Sequence, residues 1–503
     1  MSVAFSSDGA QTIQKSLAVD VVVRETKAKS LEESYQIKET CDFIRENNFH
    51  KVALQFPDNL LVDSIKIASR LQETTGAKLY ILGDTSYGSC CVDEVAAEHA
   101  GAQCIVHYGR ACLSPSRRLP LMYVFGKRPI DLSKCATAFQ ELYPDHQSHV
   151  VVLYDVVYSH IIDDLLKLLQ PEYVNVITSV LNVDGVVCKS YGQILQQAKD
   201  TGHTEAELAL YGDRLVHKYG RQFILKEGCS IEDYSIFYVG QEGVTLTNFM
   251  MTWNKCSFCS FDPETMVGRF ETININRALM KRYYLIEKAK DASIVGILVG
   301  TLGVANYLSI IDQLKKIIHK AGKKSYLFAM GKLNVAKLAN FLEIDIFVLV
   351  ACPENSLLDS SEFYRPVVTP FEMEIACNNQ REWTGDYIID FQDLLPGACS
   401  HIDCSDSNED DGETTDVSLI TGALRSSGFS SLEPKDAVPG SAVVQKNQTL
   451  MLAHANTAAS FLSGRSWQGL DQKLGETPVV KAVEGRRGIA IAYEEEGSRY
   501  ASS

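Results

Sequence analysis

The sequence has no basic leader followed by an apolar core at its N-terminus, and it has no long uninterrupted apolar run. The first absence leads us to expect no secretory signal. The best candidate for a membrane span, residues 293–311, carries no charge, but Gly296, Gly300, Gly303 and Asn306 interrupt it. That pattern is typical of a strand, a glycine loop and the start of a helix. We therefore expect a cytoplasmic protein with no membrane partner.

Basic residues are also scarce relative to acidic ones. Lys and Arg number 48 against 63 Asp and Glu, which gives a formal net charge of −15. Proteins that bind nucleic acid usually carry a basic face, so we expect no nucleic-acid partner. The sequence also has no Walker A motif, no GxGxxG fingerprint, no HExxH zinc motif and no recognisable Ser-His-Asp order. The common nucleotide-binding and hydrolytic classes are therefore not indicated.

The chain does contain 503 residues of ordinary globular composition, with 14 cysteines among them. A chain of this length is too long for one hydrophobic core, which predicts two to four domains. Without a secretion signal the cysteines are expected to be reduced thiols rather than disulfides. Such thiols are available to a metal.

Apolar, β-branched runs recur along the chain in groups of three. They lie at residues 51–56, 78–84 and 103–109, then at 149–155, 173–179 and 235–240, and then at 293–300, 324–331 and 344–352. Segments with helical spacing lie between many of these runs, at residues 63–74, 160–169, 307–321 and 335–342. Short apolar strands that alternate with helices predict parallel sheets covered on both faces.

We predict an α/β fold with three homologous parallel-sheet domains in a pseudo-threefold arrangement and a largely irregular C-terminal tail. The middle unit carries a longer, more polar insertion at residues 191–227, and an acidic, polar stretch follows residue 400. The expected divisions are an N-terminal extension (1–40), three α/β domains (41–145, 146–275 and 276–400) and an acidic linker with the tail (401–503).

Several cysteines follow predicted strands, where parallel sheets usually carry functional groups. Cys90 and Cys91 follow the second strand of the first unit, Cys112 follows the third strand, and Cys352 ends the third strand of the last unit. If these strand ends face a common centre, their thiolates could hold an iron–sulfur cluster, because sulfur is a soft, charged ligand. The alternative is a metal-free α/β scaffold whose cysteines fill core space.

The other cysteines have weaker claims to a site. Five lie at apolar strand or helix positions and are predicted to be core residues: Cys41, Cys104, Cys135, Cys188 and Cys377. Cys256 and Cys259 form a lone CxxC that is predicted to be an ordinary loop. A zinc site there would need a second pair, for which Cys399 and Cys404 in the polar tail are the candidates.

The segment GDTSYGSCCVDEVAAEHAGAQCIVHYGRACLSP (83–115) resembles the diphthamide synthase family. The segments KVALQFPDNLL (51–61), VGTLGVANY (299–307) and AKLANFLEIDIFVLVACPENS (336–356) extend the resemblance, as do the late RSWQGL and GRRGIAIAY. The last two, together with YGSCCVDE, are most similar to the second eukaryotic subunit of the 2-(3-amino-3-carboxypropyl)histidine synthase family. The resemblance covers most of the chain.

This resemblance implies three homologous domains and a [4Fe–4S] cluster. It also implies a complex that transfers a 3-amino-3-carboxypropyl group from S-adenosylmethionine to a histidine of elongation factor 2. The first and second subunits of such a complex form a heterodimer. A small electron-carrier protein and its NADH-dependent reductase deliver the electrons.

Carried over residue by residue, the resemblance implies that Cys91, Cys112 and Cys352 are the cluster ligands, with Cys90 as the alternate for Cys91. This sequence departs from the catalytic subunit in its middle domain, where Cys229 lies in a differently placed segment and is not expected to ligate. The departure implies a supporting subunit that helps to reduce the partner's catalytic cluster, with no catalytic residue assigned here. The alternative is that this chain is itself a catalytic radical transferase.

Overall fold

The structure is a computed structural model of the whole chain. We describe the residues at 28–83, 88–115, 118–181, 215–271, 274–331, 333–358, 363–398, 400–402, 415–422, 424–426, 488–489 and 492–493. The chain divides into two compact units, Met1–Phe429 and Ser430–Ser503. Most of the predicted tail and insertion, together with Cys188, Cys399, Cys404 and the RSWQGL segment, lies outside the described residues.

The strands form in chain order as short, mostly apolar segments. They are β1 (Lys51–Gln55), β2 (Lys78–Leu82), β3 (Cys104–Tyr108), β4 (Leu121–Val124), β5 (Val150–Tyr154), β6 (Val176–Thr178), β7 (Val180–Leu181), β8 (Leu215–Lys218), β9 (Arg221–Ile224), β10 (Ser235–Val239), β11 (Phe258–Asp262), β12 (Val267–Phe270), β13 (Ile294–Val299), β14 (Lys324–Ala329), β15 (Ile346–Val350), β16 (Val367–Val368), β17 (Thr415–Val417), β18 (Leu424–Ser426), β19 (Gly488–Ile489) and β20 (Ala492–Tyr493).

The helices lie mainly between these strands. They are α1 (Ala28–Ser34), α2 (Ile37–Glu46), α3 (Leu61–Thr75), α4 (Glu94–His99), α5 (Leu132–Leu142), α6 (Ile162–Leu169), α7 (Val244–Thr252), α8 (Asn274–Asp291), α9 (Tyr307–Lys320), α10 (Val335–Ala339), α11 (Pro353–Ser356) and α12 (Pro370–Cys377), with short 3₁₀ turns at Asp58–Leu60, Val156–Ile161, Ile231–Asp233 and Phe391–Leu394. None of the helices in the described ranges has the length and apolarity needed to cross a bilayer.

Three sheets dominate the first compact unit, and they share one order of four strands. Within each sheet, counted along the chain, the second strand lies beside the first, then come the third and the fourth; the second sheet, read from β6, adds β12 as a fifth. The first is ordered β2-β1-β3-β4 and the third β14-β13-β15-β16, and every pairing in both is parallel. The second is ordered β12-β11-β10-β5-β6, with β12 antiparallel to β11 and the remaining pairs parallel. The chain is therefore a mixed α/β protein with several parallel-strand sheets.

The strands at the sheet centres are buried on both faces. β3, β5 and β15 are each buried along their whole length, which is why their sequences are nearly continuous apolar runs rather than alternating ones. The helices end where the sequence signals it. α3 ends at Gly76, whose φ of 69° is in the left-handed region that glycine adopts without strain, and the Asp131 side chain caps α5 by accepting from the Lys134 amide.

All nine strands predicted from the sequence are present, and the four predicted helices form α3, α6, α9 and α10. Each of the three sheets also has a fourth strand that was not predicted, namely β4, β11 and β16. The prediction of a loop around Cys256 and Cys259 is wrong for Cys259, which lies in the buried strand β11. Its sequence, FCSFD, is short and is neither continuously apolar nor strictly alternating, so it gave no strong strand signal.

A small antiparallel sheet, ordered β7-β9-β8, is formed by the chain between β6 and β10 of the second sheet. Its β8–β9 turn has Tyr219 and Gly220 at φ of 53° and 65°. This combination is typical of a tight hairpin turn. A Cβ atom at Gly220 would lie 2.5 Å from the Cβ of Leu113, so the hairpin tip packs directly beside the residue that follows Cys112. The hairpin thus supports the loop after β3.

Candidate metal centre

Cys352 is held at the end of β15 by the turn that follows it. Pro353 begins α11 immediately after Cys352, where its missing amide would have no helical partner in any case. The Ser356 hydroxyl donates to the backbone oxygens of Ala351 and Cys352 at 3.2 and 2.9 Å. The Asn248 amide of α7 donates to the Pro353 oxygen at 3.0 Å. The cysteine therefore sits on a turn that is hydrogen-bonded from two directions.

The loops after β2 and β3 are tied together by their backbones. The Cys112 amide donates to the Cys90 oxygen at 3.0 Å, and the Cys91 amide donates to the Gly88 oxygen at 3.0 Å. Leu113, next in the chain, has φ of 55°. A non-glycine residue in the left-handed region is uncommon and is often found at functional sites. These contacts place Cys112 beside the vicinal pair.

Gln55, which ends β1, holds the cysteine loop through hydrogen bonds to its backbone. The sequence did not identify this residue as part of a site. Its side chain is fully buried. Its amide nitrogen donates to the Cys91 oxygen at 2.7 Å, and its amide oxygen accepts from the Asp93 backbone at 2.9 Å. A polar residue at the end of an otherwise apolar buried strand was the available signal, since buried amides are found where they have partners.

The sulfur atoms of Cys90, Cys91, Cys112 and Cys352 all lie within 4.8 Å of one another, and all four residues are buried. Cys90 and Cys352 are 3.8 Å apart, and Cys91 and Cys112 are 4.0 Å apart. Residues some 240 positions apart in sequence therefore converge, as expected from the strand ends. Both vicinal cysteines belong to the group, so this geometry does not select one of them.

The pKa values of three of these thiols are shifted, and not all in the same direction. Hydrogen bonds from the thiols of Cys352, Cys90 and Cys91 lower the pKa of Cys112 well below its usual range. The same contacts with Cys112 are the main reason that the pKa values of Cys91 and Cys352 are raised well above theirs. A bound cation would take the place of protons on these thiols, because metal ligands are deprotonated.

An ion pair flanks the thiols and joins the three sheets. Arg110, between β3 and Cys112, pairs with Glu354 of α11, and the Thr245 hydroxyl of α7 donates to the same carboxylate at 3.0 Å. Burial raises the pKa of Glu354, an effect that Arg110 partly offsets. His107 is buried, which lowers its pKa, and its Nε2 contacts the Arg110 oxygen at 3.1 Å. The imidazole of His107 thus helps to hold the segment that leads to Cys112.

The glycine loop after β13 approaches the cysteine loop closely. A Cβ atom at Gly303 would lie 2.2 Å from the Val92 backbone oxygen, and the Ala305 amide donates to the Pro115 oxygen at 3.2 Å. These contacts show that Gly303 permits close packing between the third sheet and the loop after Cys91.

The remaining cysteines in the described ranges lie outside this group. Cys41, Cys104 and Cys135 are buried, and burial alone raises the pKa of Cys104 and of Cys135 to about 12. Those values are typical of inert core thiols. Cys229 is half-buried and is not one of the four, and Cys377 is half-buried at the end of α12.

The donor set is that of a soft-metal site. Four converging thiols with no carboxylate in the group suit iron–sulfur clusters or zinc, since both prefer thiolate sulfur. A Zn–S bond of about 2.3 Å would place tetrahedral sulfurs about 3.8 Å apart, which is near the Cys90–Cys352 and Cys91–Cys112 separations. Thiolates are also the ligands of iron–sulfur clusters, for which three of these thiols are candidates. Counting bound iron and sulfide distinguishes the two centres.

The fold and the site define an α/β protein whose parallel sheets gather buried thiols fit for a soft metal centre. The chain belongs to the diphthamide synthesis protein family, whose model matches residues 56–388. Proteins named 2-(3-amino-3-carboxypropyl)histidine synthase subunit 2 are its relatives. The one from Danio rerio is 61% identical over 100% of this chain and 99% of its own length, and the one from Homo sapiens is 39% identical over 99% and 100%.

Solved structures share the fold. The crystal structure of Dph2 from Pyrococcus horikoshii has a TM-score of 0.51 and 20% identity, covering 70% of this chain and 94% of its own. A second structure of that protein, with a 4Fe–4S cluster, has a TM-score of 0.50 and 19% identity, covering 70% and 92%. At this identity the likeness supports the fold alone. The family predicted from the sequence is confirmed.

Proposed function

We propose that this chain is the iron–sulfur subunit of the heterodimeric synthase that carries out the first step of diphthamide formation. In this proposal the complex transfers 3-amino-3-carboxypropyl from S-adenosylmethionine to a histidine of elongation factor 2 in the cytoplasm. Cys91, Cys112 and Cys352 bind a [4Fe–4S] cluster, with Cys90 as the alternate for Cys91. The observation that carries the proposal is the convergence of these buried thiols from the first and third sheets.

The residues around the thiols have distinct tasks. Gln55 and the Cys112 amide hold the cysteine loop, and Ser356 holds the turn at Cys352. The thiols are at most 6% exposed, so water is largely excluded. A [4Fe–4S] cluster, when bound, supplies one-electron redox chemistry at a potential set partly by burial and by hydrogen bonds to the sulfurs.

We propose a supporting role, in which the cluster of this subunit helps to reduce the catalytic cluster of the partner. Among the described residues the middle domain contributes no thiol to the group, because Cys229, Cys256 and Cys259 lie outside it. Electrons can pass to and from a buried centre, whereas a substrate must reach an exposed one. The name of the relatives, a synthase subunit 2, supports a partner subunit. A small electron carrier and its NADH-dependent reductase are the proposed electron source.

We also propose that the first compact unit, Met1–Phe429, consists largely of three homologous domains, at residues 41–145, 146–275 and 276–400. The shared order of four strands in each sheet supports duplication of one unit. Two of the boundaries cut helices, since α2 begins at Ile37 and α8 at Asn274. Of these, α8 connects the second sheet to the third.

The test is anaerobic purification of the full chain, followed by counting of iron and sulfide and by electron paramagnetic resonance. We expect four irons per chain, a large loss of iron in Cys352→Ala and little loss in Cys377→Ala. Equal iron in the two variants would contradict the ligand assignment, and one zinc without sulfide would contradict the cluster. Transfer activity by the chain without its partner, given a chemical reductant, would replace the supporting role with a catalytic one.

A further inference from the structure

The side chain of Asn355 reaches the sulfurs of two cysteines. Its amide nitrogen lies 3.4 Å from the sulfur of Cys90 and 3.3 Å from the sulfur of Cys352, both within hydrogen-bonding distance of sulfur. Asn355 follows Cys352 by three residues, and its backbone amide donates to the Cys352 oxygen at 2.9 Å. Because Cys352 immediately precedes α11, the one turn of this helix brings the Asn355 side chain back beside the Cys352 sulfur.

The opposite loop is shaped to receive this amide. A Cβ atom at Gly88 would lie 2.0 Å from the Asn355 amide nitrogen and 2.9 Å from its amide carbon. Gly88 does not have a left-handed backbone, so the glycine is required here for space and not for its conformation. The contact joins loops that are 267 positions apart in sequence, which makes it a feature of the assembled site.

We propose that Asn355 is a positioning residue whose amide donates hydrogen bonds to the sulfurs of Cys90 and Cys352 and thereby raises the reduction potential of the centre they surround. This inference rests on the proposed iron–sulfur function. A donated N–H withdraws electron density from sulfur and favours the reduced, more negative state of a cluster. Because Asn355 is uncharged, it does so without adding a buried charge beside the Arg110–Glu354 pair.

The experiment is a redox titration of the iron-loaded full chain, followed by electron paramagnetic resonance, with iron counted in each sample. We expect Asn355→Ala and Gly88→Ala to lower the midpoint potential in the same direction. The change corresponds to a fall of about tenfold in the reduced-to-oxidised ratio at a fixed potential, or about 59 mV for a one-electron couple. Asn355→Asp removes the donor at nearly constant shape and should lower the potential further. Asn340→Ala, at an exposed asparagine beyond α10, is the matched control and should change nothing.

The outcomes separate this inference from the function on which it rests. An iron-free wild-type chain would refute the proposed function itself. An unchanged midpoint in iron-loaded Asn355→Ala would refute only the role of Asn355. If Asn355→Ala loses its iron, Asn355→Asp decides, and an unchanged or higher midpoint there overturns the inference. Loss of iron from all three site variants would assign Asn355 and Gly88 to assembly of the site and would also overturn it.

Discussion

Two glutamates on α12 offer a matched test of what a buried carboxylate contributes to stability. Glu372 and Glu374 are both essentially inaccessible to solvent, and each faces a buried arginine. We expect Glu372→Gln to lower the free energy of unfolding of this region by about 3–5 kcal/mol. We expect Glu374→Gln to lower it by less than about 1 kcal/mol near neutral pH or to raise it.

The contrast comes from how completely each carboxylate is hydrogen-bonded. Both oxygens of Glu372 accept from Arg282, at 2.5 and 2.6 Å. Tyr387 donates to one of them, and the Thr369 amide donates to the other, each at 2.8 Å. Substitution by an amide leaves the Arg282 guanidinium buried without its anion, which is the costly way to break a buried pair.

The carboxylate of Glu374 lies beside an arginine, but its hydrogen-bonding capacity is not satisfied. Its oxygen lies 3.0 Å from Nε of Arg381, yet neither Glu374 oxygen accepts a well-aligned hydrogen bond. Burial raises the pKa of Glu374, and the charge of Arg381 only partly offsets this. Arg381 keeps other partners, since it donates to the Ser400 oxygen at 2.5 Å and lies over the ring of Phe371. Removing the carboxylate therefore removes a desolvation cost and leaves the arginine supported.

The raised pKa of Glu374 also fixes the sign of a pH dependence. Below the unfolded-state pKa of about 4.3 the carboxyl is neutral in both states. As the pH rises from there through the higher folded-state pKa, the unfolded chain releases its proton first, so unfolding is favoured. The advantage of Glu374→Gln over the wild type should consequently be larger at pH 7 than at pH 4.5.

Hydrogen exchange of the amides in α12, measured by mass spectrometry, reports the local free energy of opening. Equal destabilisation by Glu372→Gln and Glu374→Gln would refute the reasoning. So would a wild-type protein that gains stability relative to Glu374→Gln as the pH rises from 4.5 to 7.

Three further predictions concern the loops around the thiols. Gln55→Leu removes two buried hydrogen bonds, so we expect it to destabilise the cysteine loop by about 1–3 kcal/mol. A chelator should then remove iron faster than from the wild type. An unchanged rate would argue against a role of Gln55 in holding the loop. Gly303→Ala places a Cβ atom against the Val92 oxygen and should reduce iron per chain, whereas Gly243→Ala, which meets nothing within 4 Å, should not; equal iron in both would argue against close packing. Deleting residues 430–503, which include no cysteine, should leave iron per chain unchanged, because all four thiols lie in the first unit; a loss of iron would contradict this expectation.

The strands were predictable where they are apolar on both faces. β5 and β15 are continuous runs of aliphatic and aromatic residues, and they lie at sheet centres. The fourth strands carried weaker signals. β16 has two residues and β11 includes a serine and a terminal aspartate, so neither reaches the length and apolarity that set a strand apart from a loop.

The strand ends made the cysteines of the site candidates, which is a local property, and the family resemblance then implied which of them are ligands. Their supporting residues were not, since Gln55, Asn355 and Gly303 act through contacts with loops from other parts of the chain. A single glutamine or asparagine has no sequence pattern that names its distant partner. Such residues become identifiable only when the tertiary contacts bring the loops together.

In the described part of the chain, two of the three sheets supply the thiols of the group. Cys112 and Cys352 follow the third strands of the first and third sheets, and the equivalent strand of the second sheet is β10. The segment after β10 has glycines and Thr245 where the others have cysteine. That segment still reaches the site, through the bond from Thr245 to Glu354. Through Thr245 the second sheet therefore provides a polar support for the turn at Cys352 without adding a thiol from the described residues, which is the arrangement that the proposed supporting role predicts.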